Sequence, residues 1–401
     1  MTFPLVAKTM RGLEPILAKE LEVLGATNIQ ELNRAVSFQA TQKVMYKANY
    51  LCRTALHILK PLKEFDIVNQ DDLYDEVVKI TWEKLFSVDC YITIDTVCFD
   101  SVYTHSRFAS QRVKDGVVDR FRRLFNQRPS VDNAEPDIRI DLYMKDNHCI
   151  LSMDSSGASL HRRGYRQNTA QAPINEVLGA GLIALSAWDT TKTFYDPMCG
   201  SGTLLMEAAM LASNIPAAYY RQGFAFQHWN DYDANLWREI KEDAAKQIHD
   251  PECEIYGSDI SAQNISTAEL NIRYAKLHKD IELRQGDFFS LDPPDTKGGF
   301  IVCNPPYGER IQLEDIMNFY KQIGDTLKQK YKNYEAWFIS SDIEALKNVG
   351  LRASRRIEVF NGPLECKFYR FELYEGSKKQ KAEITELELD FQESKEVDEV
   401  N

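Results

Sequence analysis

No run of uncharged apolar residues in the chain approaches the ~20 that a membrane span needs. The opening MTFPLVAKTMRG lacks the plan of a secretion signal, so the chain is expected to work in the cytoplasm. Cysteine is scattered: its eight positions (52, 90, 98, 149, 199, 253, 303, 366) include no CxxC pair and no nearby histidine at metal-ligand spacing. Reduced thiols are expected, with neither structural zinc nor a disulfide framework. Net positive charge is missing too, since 48 Lys/Arg face 60 Asp/Glu for a balance of −12, which alone argues against a nucleic-acid partner. The distribution reverses that argument locally. Between Ser101 and Arg128, seven cations (Arg107, Arg112, Lys114, Arg120, Arg122, Arg123, Arg128) meet two acids, Asp115 and Asp119.

What is present is a long chain of mixed style. At 401 residues it exceeds what one core usually organises. FPLVAKT, GLEPILAKELEVLGA and AVSFQA read as strand, helix and strand. DDLYDEVVKITWEKLF, YITIDTVCF, SQRVKDGVVDRFRRLF, DIRIDLYMK and HCILSMDSS continue as helix, strand, helix, strand and strand, an α+β module of about the first 160 residues. GASLHRRGYRQNTAQAP reads as a joint between domains. Beyond Pro173 strands alternate with helices: TKTFYD, CEIYGSD, IELRQGD, GFIVCN and EAWFISS, with GTLLMEAAMLAS and SAQNISTAELNIRYAKLH among the helices. That alternation predicts a parallel sheet covered by helices on both faces. The last stretch, with four Lys against eight Asp/Glu, reads as a solvated acidic tail.

Two motifs carry chemistry. The string Asp196-Pro197-Met198-Cys199-Gly200-Ser201-Gly202-Thr203 joins a strand to an apolar helix. Its glycines let the backbone approach a ligand, and the helix N-terminus offers N–H groups to an anion. The third glycine of a dinucleotide fingerprint is missing, as is the Gly-Lys-Ser/Thr of a phosphate loop. The pattern suits S-adenosylmethionine, its carboxylate at the helix start and its ammonium at Asp196. Asp259 and Asp287 end the next two strands and would face the same crevice. Asp259 suits a ribose diol and Asp287 an adenine amino group, unless each caps the turn that follows.

The second motif is Asn304-Pro305-Pro306-Tyr307 after GFIVC. An exocyclic base amine is a poor nucleophile because its lone pair is delocalised into the ring. The Asn304 side-chain oxygen and the Pro305 carbonyl would each accept one N–H and aim the lone pair at the donor methyl. The prolines stiffen the loop, and Tyr307 offers a stacking face to an extruded base. Arg107, Lys114, Arg162, Arg163 and Arg166 are the cations expected on RNA phosphates. The donor crevice is complete within the second half, so a fragment starting near Gln167 is expected to bind the donor by itself.

On LHRRGYR, AP-x-x-E from Ala172 to Glu176, DPMCGSGTLLMEAAM, YGSD, NPPYGER and NGPLECKFYR, the chain up to about Glu375 resembles the ribosomal RNA large-subunit guanine-N2 methyltransferases with an N-terminal THUMP domain. The resemblance implies a class I, Rossmann-like α/β methyltransferase preceded by an α+β ferredoxin-like and THUMP RNA-binding module. Its divisions are 1–60 ferredoxin-like, 61–165 THUMP, 166–375 methyltransferase and 376–401 acidic tail. It also implies S-adenosylmethionine as cofactor, large-subunit ribosomal RNA as partner, and neither metal nor membrane. Some relatives carry a second methyltransferase domain, so this chain is expected to perform the guanine-N2 reaction alone. The alternatives are a transfer-RNA guanine-N2 enzyme, a DNA adenine or protein glutamine methyltransferase, and a non-catalytic RNA-binding assembly factor.

Overall fold

The computed structural model describes residues 1–166, 173–306 and 313–374. The first half runs β1 (Phe3–Lys8), α1 (Glu14–Val23), β2 (Thr27–Leu32), β3 (Ala35–Ala40), α2 (Gln42–Leu51), β4 (His57–Asp66), α3 (Gln70–Val78), β5 (Tyr91–Phe99), α4 (Ser106–Phe125), β6 (Ser130–Val131), β7 (Ile138–Lys145) and β8 (His148–Asp154). These eight strands form one sheet in the order β2-β3-β1-β4-β8-β7-β5-β6. The boundary expected at 60/61 falls inside β4. That strand pairs with β1 through His57, Ile58 and Leu59, then with β8 from Leu59 to Asp66. Its register shifts between Pro61 and Lys63, beside a residue with no N–H to give the ladder. The two N-terminal units thus share a sheet and a buried cluster that runs from Leu5 to Met153.

The second half runs α5 (Glu176–Ser186), β9 (Phe194–Asp196), α6 (Thr203–Ala212), α7 (Ala234–Ala245), β10 (Ile255–Asp259), α8 (Ala262–Tyr274), β11 (Ile281–Gln285), β12 (Phe300–Cys303), α9 (Leu313–Lys330), β13 (Glu335–Ser340), α10 (Ile343–Asn348), β14 (Arg355–Asn361) and β15 (Leu364–Glu372). The sheet order is β11-β10-β9-β12-β13-β15-β14. The first five are parallel as expected, whereas β15 runs antiparallel to both β13 and β14. This edge hairpin goes beyond the all-parallel reading. Helix α6 is buried almost all round and lies so close to β10 that a Cβ on Gly257 would stand 2.3 Å from Leu205.

One excursion crosses between the halves. After α6 the chain leaves the parallel sheet, and Phe224, Phe226, Trp229, Trp237 and Ile240 join the core of the first half. Tyr46 stacks on Phe226 with ring centroids 4.2 Å apart, and Tyr50 meets Trp237 edge-on at 5.2 Å. Arg221, on the same excursion, donates to the carbonyls of Ser156, Ser159 and Arg162 in the joint (2.9, 3.0 and 3.3 Å). The halves are therefore interlocked and not simply strung together.

Candidate functional site

Strand β9 ends at Asp196, and the chain turns through 197–202 before α6 begins. The turn is held by Cys199 N–H donating to the Ser258 carbonyl (2.9 Å) and Gly202 N–H donating to the Cys199 carbonyl (2.8 Å). Gly200 and Gly202 have φ of 53° and 82°, the left-handed region that glycine enters without strain. A Cβ on Gly200 would meet no protein atom within 4 Å, so that side of the turn faces open space.

The space is a cavity of ≈920 Å³ at the carboxyl ends of the strands. It lies where the strand order reverses between β9 and β12, the place where open α/β sheets bind ligands. Asp196, Pro197, Cys199, Gly200, Ser201 and Thr203 line it from the turn, Asp259 and Asp287 from the ends of the neighbouring strands, and Asn304 and Pro306 from the loop after β12. Gly202 forms the N-cap of α6. Pro305 is buried, and Tyr307 lies outside the described residues.

Each acid has a distinct environment. Asp196 is 2% exposed, and burial pushes its carboxyl up to about 8, opposed by the Met198 N–H and reinforced by Asp259. Asp259 is held on both oxygens: Oδ2 accepts from Gly200 N–H at 3.0 Å, and Oδ1 accepts from Ser261 N–H at 2.9 Å and from the Asn264 amide at 3.1 Å. It thereby ties the glycine turn to the turn after β10, while Ser261 is the residue that caps α8. Asp287 accepts from Phe289 N–H at 3.1 Å. The Asn304 side-chain oxygen is buried and has no hydrogen-bond partner among the described residues.

Phe289 and Phe319 complete the wall, their rings 5.5 Å apart and nearly perpendicular. Sequence reading missed both. The signal for Phe319 was the helical spacing of Ile316, Tyr320, Ile323 and Leu327, which buries one face of α9 and leaves Phe319 beside it.

The expected RNA-binding cations separate into two groups. Arg107 and Arg162 are exposed, as expected. Lys114 pairs with Asp115 at 2.5 Å, and its neighbours Arg112, Arg120 and Arg122 pair with Asp71, Glu83 and Asp119. The local cationic excess is thus offset by acids, two of them outside the stretch. Arg163 does not face solvent, which corrects its assignment to RNA phosphates. Arg163 is 1% exposed; its Nε lies 3.3 Å from Glu207, Nη1 donates to the Leu160 carbonyl at 3.0 Å, and Nη2 donates to the Arg53 carbonyl. Arg166 turns towards the donor cavity. Nothing in the one-dimensional pattern distinguishes such inward arginines from solvated ones.

All eight cysteines are free thiols, and no cluster of metal-ligating side chains occurs among the described residues. No helix among them is long and apolar enough to cross a membrane.

Residues 163–370 match the family described as RMKL-like, methyltransferase domain, residues 4–59 the RlmL ferredoxin-like domain, and residues 68–154 the THUMP domain. A Synechocystis sp. protein named as a candidate RNA methyltransferase is 37% identical over 375 residues, covering 93% of this chain and 97% of its own. The ribosomal RNA large subunit methyltransferase K/L of Syntrophotalea carbinolica is 35% identical over 381 residues, 92% of this chain but 53% of its own, so the chain spans about half of that relative. The crystal structure of SMU.472, a candidate methyltransferase complexed with S-adenosylhomocysteine, superposes with a TM-score of 0.84 at 27% identity, over 94% of this chain and 99% of that one.

Fold and cavity together define a class I methyltransferase that uses S-adenosylmethionine. The buried acid at the end of β9 suits an ammonium, and the open side of Gly200 accommodates a close ligand. The chain belongs to the RMKL-like methyltransferase family, with ferredoxin-like and THUMP domains ahead of the catalytic one.

Proposed function

We propose that the chain methylates the exocyclic N2 amine of a guanine in large-subunit ribosomal RNA, in the cytoplasm. The observation that carries this reading is the buried Asn304 oxygen, without a partner among the described residues, on the wall of the donor cavity. A buried acceptor left unpaired costs about 1–3 kcal/mol, which an incoming N–H recovers. The donor supplies an electrophilic methyl on a sulfonium. The residues of this chain do the rest. Asn304 Oδ1 and the Pro305 carbonyl accept the two amine hydrogens, which keeps the lone pair out of the ring system and directs it at the methyl. No dedicated base is needed, since nitrogen that has gained a methyl becomes cationic and sheds a proton readily. On the donor side, Asp196 receives the ammonium, the N–H groups at the start of α6 the carboxylate, Asp259 the ribose and Asp287 the adenine amine. Tyr307 is assigned the stacking face.

The THUMP domain supports RNA as the substrate class, and the names of the K/L relatives support large-subunit ribosomal RNA. Arg107 and Arg162, both exposed, remain the cations offered to phosphate. The test is incubation with methyl-labelled donor and separately purified ribosomal and transfer RNA. Label in the large ribosomal RNA is expected, whereas label confined to transfer RNA would move the substrate to the rival class.

A further inference from the structure

Arg166 is engaged with the elements around the donor cavity. Its Nη2 donates to the Ile174 carbonyl at 3.1 Å and to the Thr203 hydroxyl at 2.9 Å, and its Nε stands 3.1 Å from Glu176 Oε1. The side chain is 15% exposed and that of Glu176 6%. Ile174 and Thr203 are two walls of the donor cavity, on separate elements. Thr203 opens α6 directly after the two glycines, and Glu176 opens α5, whose N-cap Asn175 accepts from Val177 and Leu178 N–H groups. One guanidinium therefore joins the approach to α5, the first turn of α5 and the start of α6.

A second anchor acts one turn along α6. Glu207, four residues after Thr203 and so on the same helix face, meets Arg163 at 3.3 Å and accepts from the Tyr165 hydroxyl at 2.8 Å. Gly164 between them has φ of 95°, and a Cβ there would stand 2.3 Å from the Tyr220 carbonyl, so the segment follows this path only with glycine at that position. The Arg-Gly-Tyr-Arg run is thus a clamp along α6 whose last member reaches the donor turn.

We propose that Arg166 is a positioning residue for the donor site: it fixes the Thr203 end of the glycine turn against the Ile174 wall and contributes nothing to RNA phosphate binding. The inference rests on the reading that the cavity between the strand ends takes the donor. Nη2 alone serves the Ile174 and Thr203 acceptors, while the guanidinium charge stands beside the Glu176 carboxylate. Lysine offers a point charge that satisfies Glu176 but not the same geometry.

The test compares Arg166→Met, Arg166→Lys, Glu176→Gln and Asp259→Ala in the full chain. The readouts are S-adenosylhomocysteine affinity by calorimetry, donor KM and kcat, and RNA affinity across a range of salt. Arg166→Met should weaken S-adenosylhomocysteine on the order of tenfold and raise donor KM to match. Its kcat at saturating donor and its RNA salt dependence should stay near wild type. Arg166→Lys and Glu176→Gln should fall between, and these milder variants carry the test should Arg166→Met fail to fold. Product affinity within twofold of wild type in the Arg166 variants, with Asp259→Ala weakened, overturns the inference and leaves the donor cavity standing. If Asp259→Ala also binds normally, the donor-cavity reading itself falls. A flattened RNA salt dependence in Arg166→Met would return the residue to the phosphate track and overturn the proposal.

Discussion

The two charged regions of the molecule are built in opposite ways. At the donor cavity the polar groups are few, buried and held from the protein side: Asp259 on both oxygens, Asp196 almost without exposure, Asn304 Oδ1 enclosed. Along α4 the cations are many and at least partly exposed: Arg112, Lys114, Arg120 and Arg122 are engaged with Asp71, Asp115, Glu83 and Asp119, and Arg107 is exposed. Preorganised groups in a low-dielectric site act strongly without rearrangement, whereas exposed ion pairs are each worth ~0–1 kcal/mol and can be exchanged for phosphate. On the proposed function, the chemistry falls to the first region and adaptable delivery to the second.

The comparison is broken most severely by separating the halves. The expectation that a fragment from residue 167 binds the donor by itself does not fit the structure. Such a cut removes Arg163 and Arg166 and strips the covering from Phe224, Phe226 and Trp237. The fragment is expected to be insoluble or unable to bind S-adenosylhomocysteine. In the intact chain, Trp237→Ala should cost about 3–5 kcal/mol, the usual range for deleting a buried aromatic. A single thermal transition shifted downward would show that both halves unfold together, and an unshifted one would contradict the interlock.

Asn304→Ala sharpens the comparison within the cavity. It should lower kcat by about 10²–10³, the scale of losing one preorganised acceptor at a reacting centre. Affinity for S-adenosylhomocysteine by calorimetry should be unchanged, because the residue is assigned to the amine and not to the donor.

Protons provide a smaller, graded test. The Asp196 carboxyl, pushed up to about 8 by burial, titrates near ~4 in an unfolded chain. The donor-free fold therefore binds this proton over a window where the unfolded chain does not, so the contribution to stability is full at low pH and is lost as pH rises towards 8. The ammonium assigned to Asp196 favours the carboxylate instead. S-adenosylhomocysteine affinity should rise with pH, by at most about tenfold per unit, and flatten above 8. Calorimetry at pH 7 in buffers of different ionisation enthalpy should show close to one proton released. Zero release would remove the ammonium from Asp196.

The smallest effects belong to α4. Arg107→Ala should weaken RNA binding modestly and reduce its logarithmic salt slope by about one. Lys114→Ala should do less, since that lysine already has Asp115 at 2.5 Å. Equal slopes for wild type and Arg107→Ala would take Arg107 off the phosphate track.

How much of this was legible depended on whether burial left a one-dimensional trace. Strands β10 and β12 read clearly because apolar runs end on Asp259 and just before Asn304, and the strand-to-helix turn carried its glycines in plain view. Strand β2 left no trace, because it is an edge strand without a buried residue and so lacks alternation. The excursion through Phe224 and Trp237 was read as part of the second half because sequence proximity is a poor guide to which core an aromatic joins. Arg163 was misassigned because its acceptors, among them Glu207, lie across the fold, and Thr203 and Glu176, the partners of Arg166, lie on α6 and α5.

The most direct test of the central claim is the identity of the methylated nucleoside. Large-subunit RNA lacking the modification, incubated with the full chain and labelled donor, digested and resolved by mass spectrometry, should give label in N2-methylguanosine and none with Asn304→Ala. Label in N6-methyladenosine, or undiminished guanosine methylation by the Asn304 variant, would contradict the account.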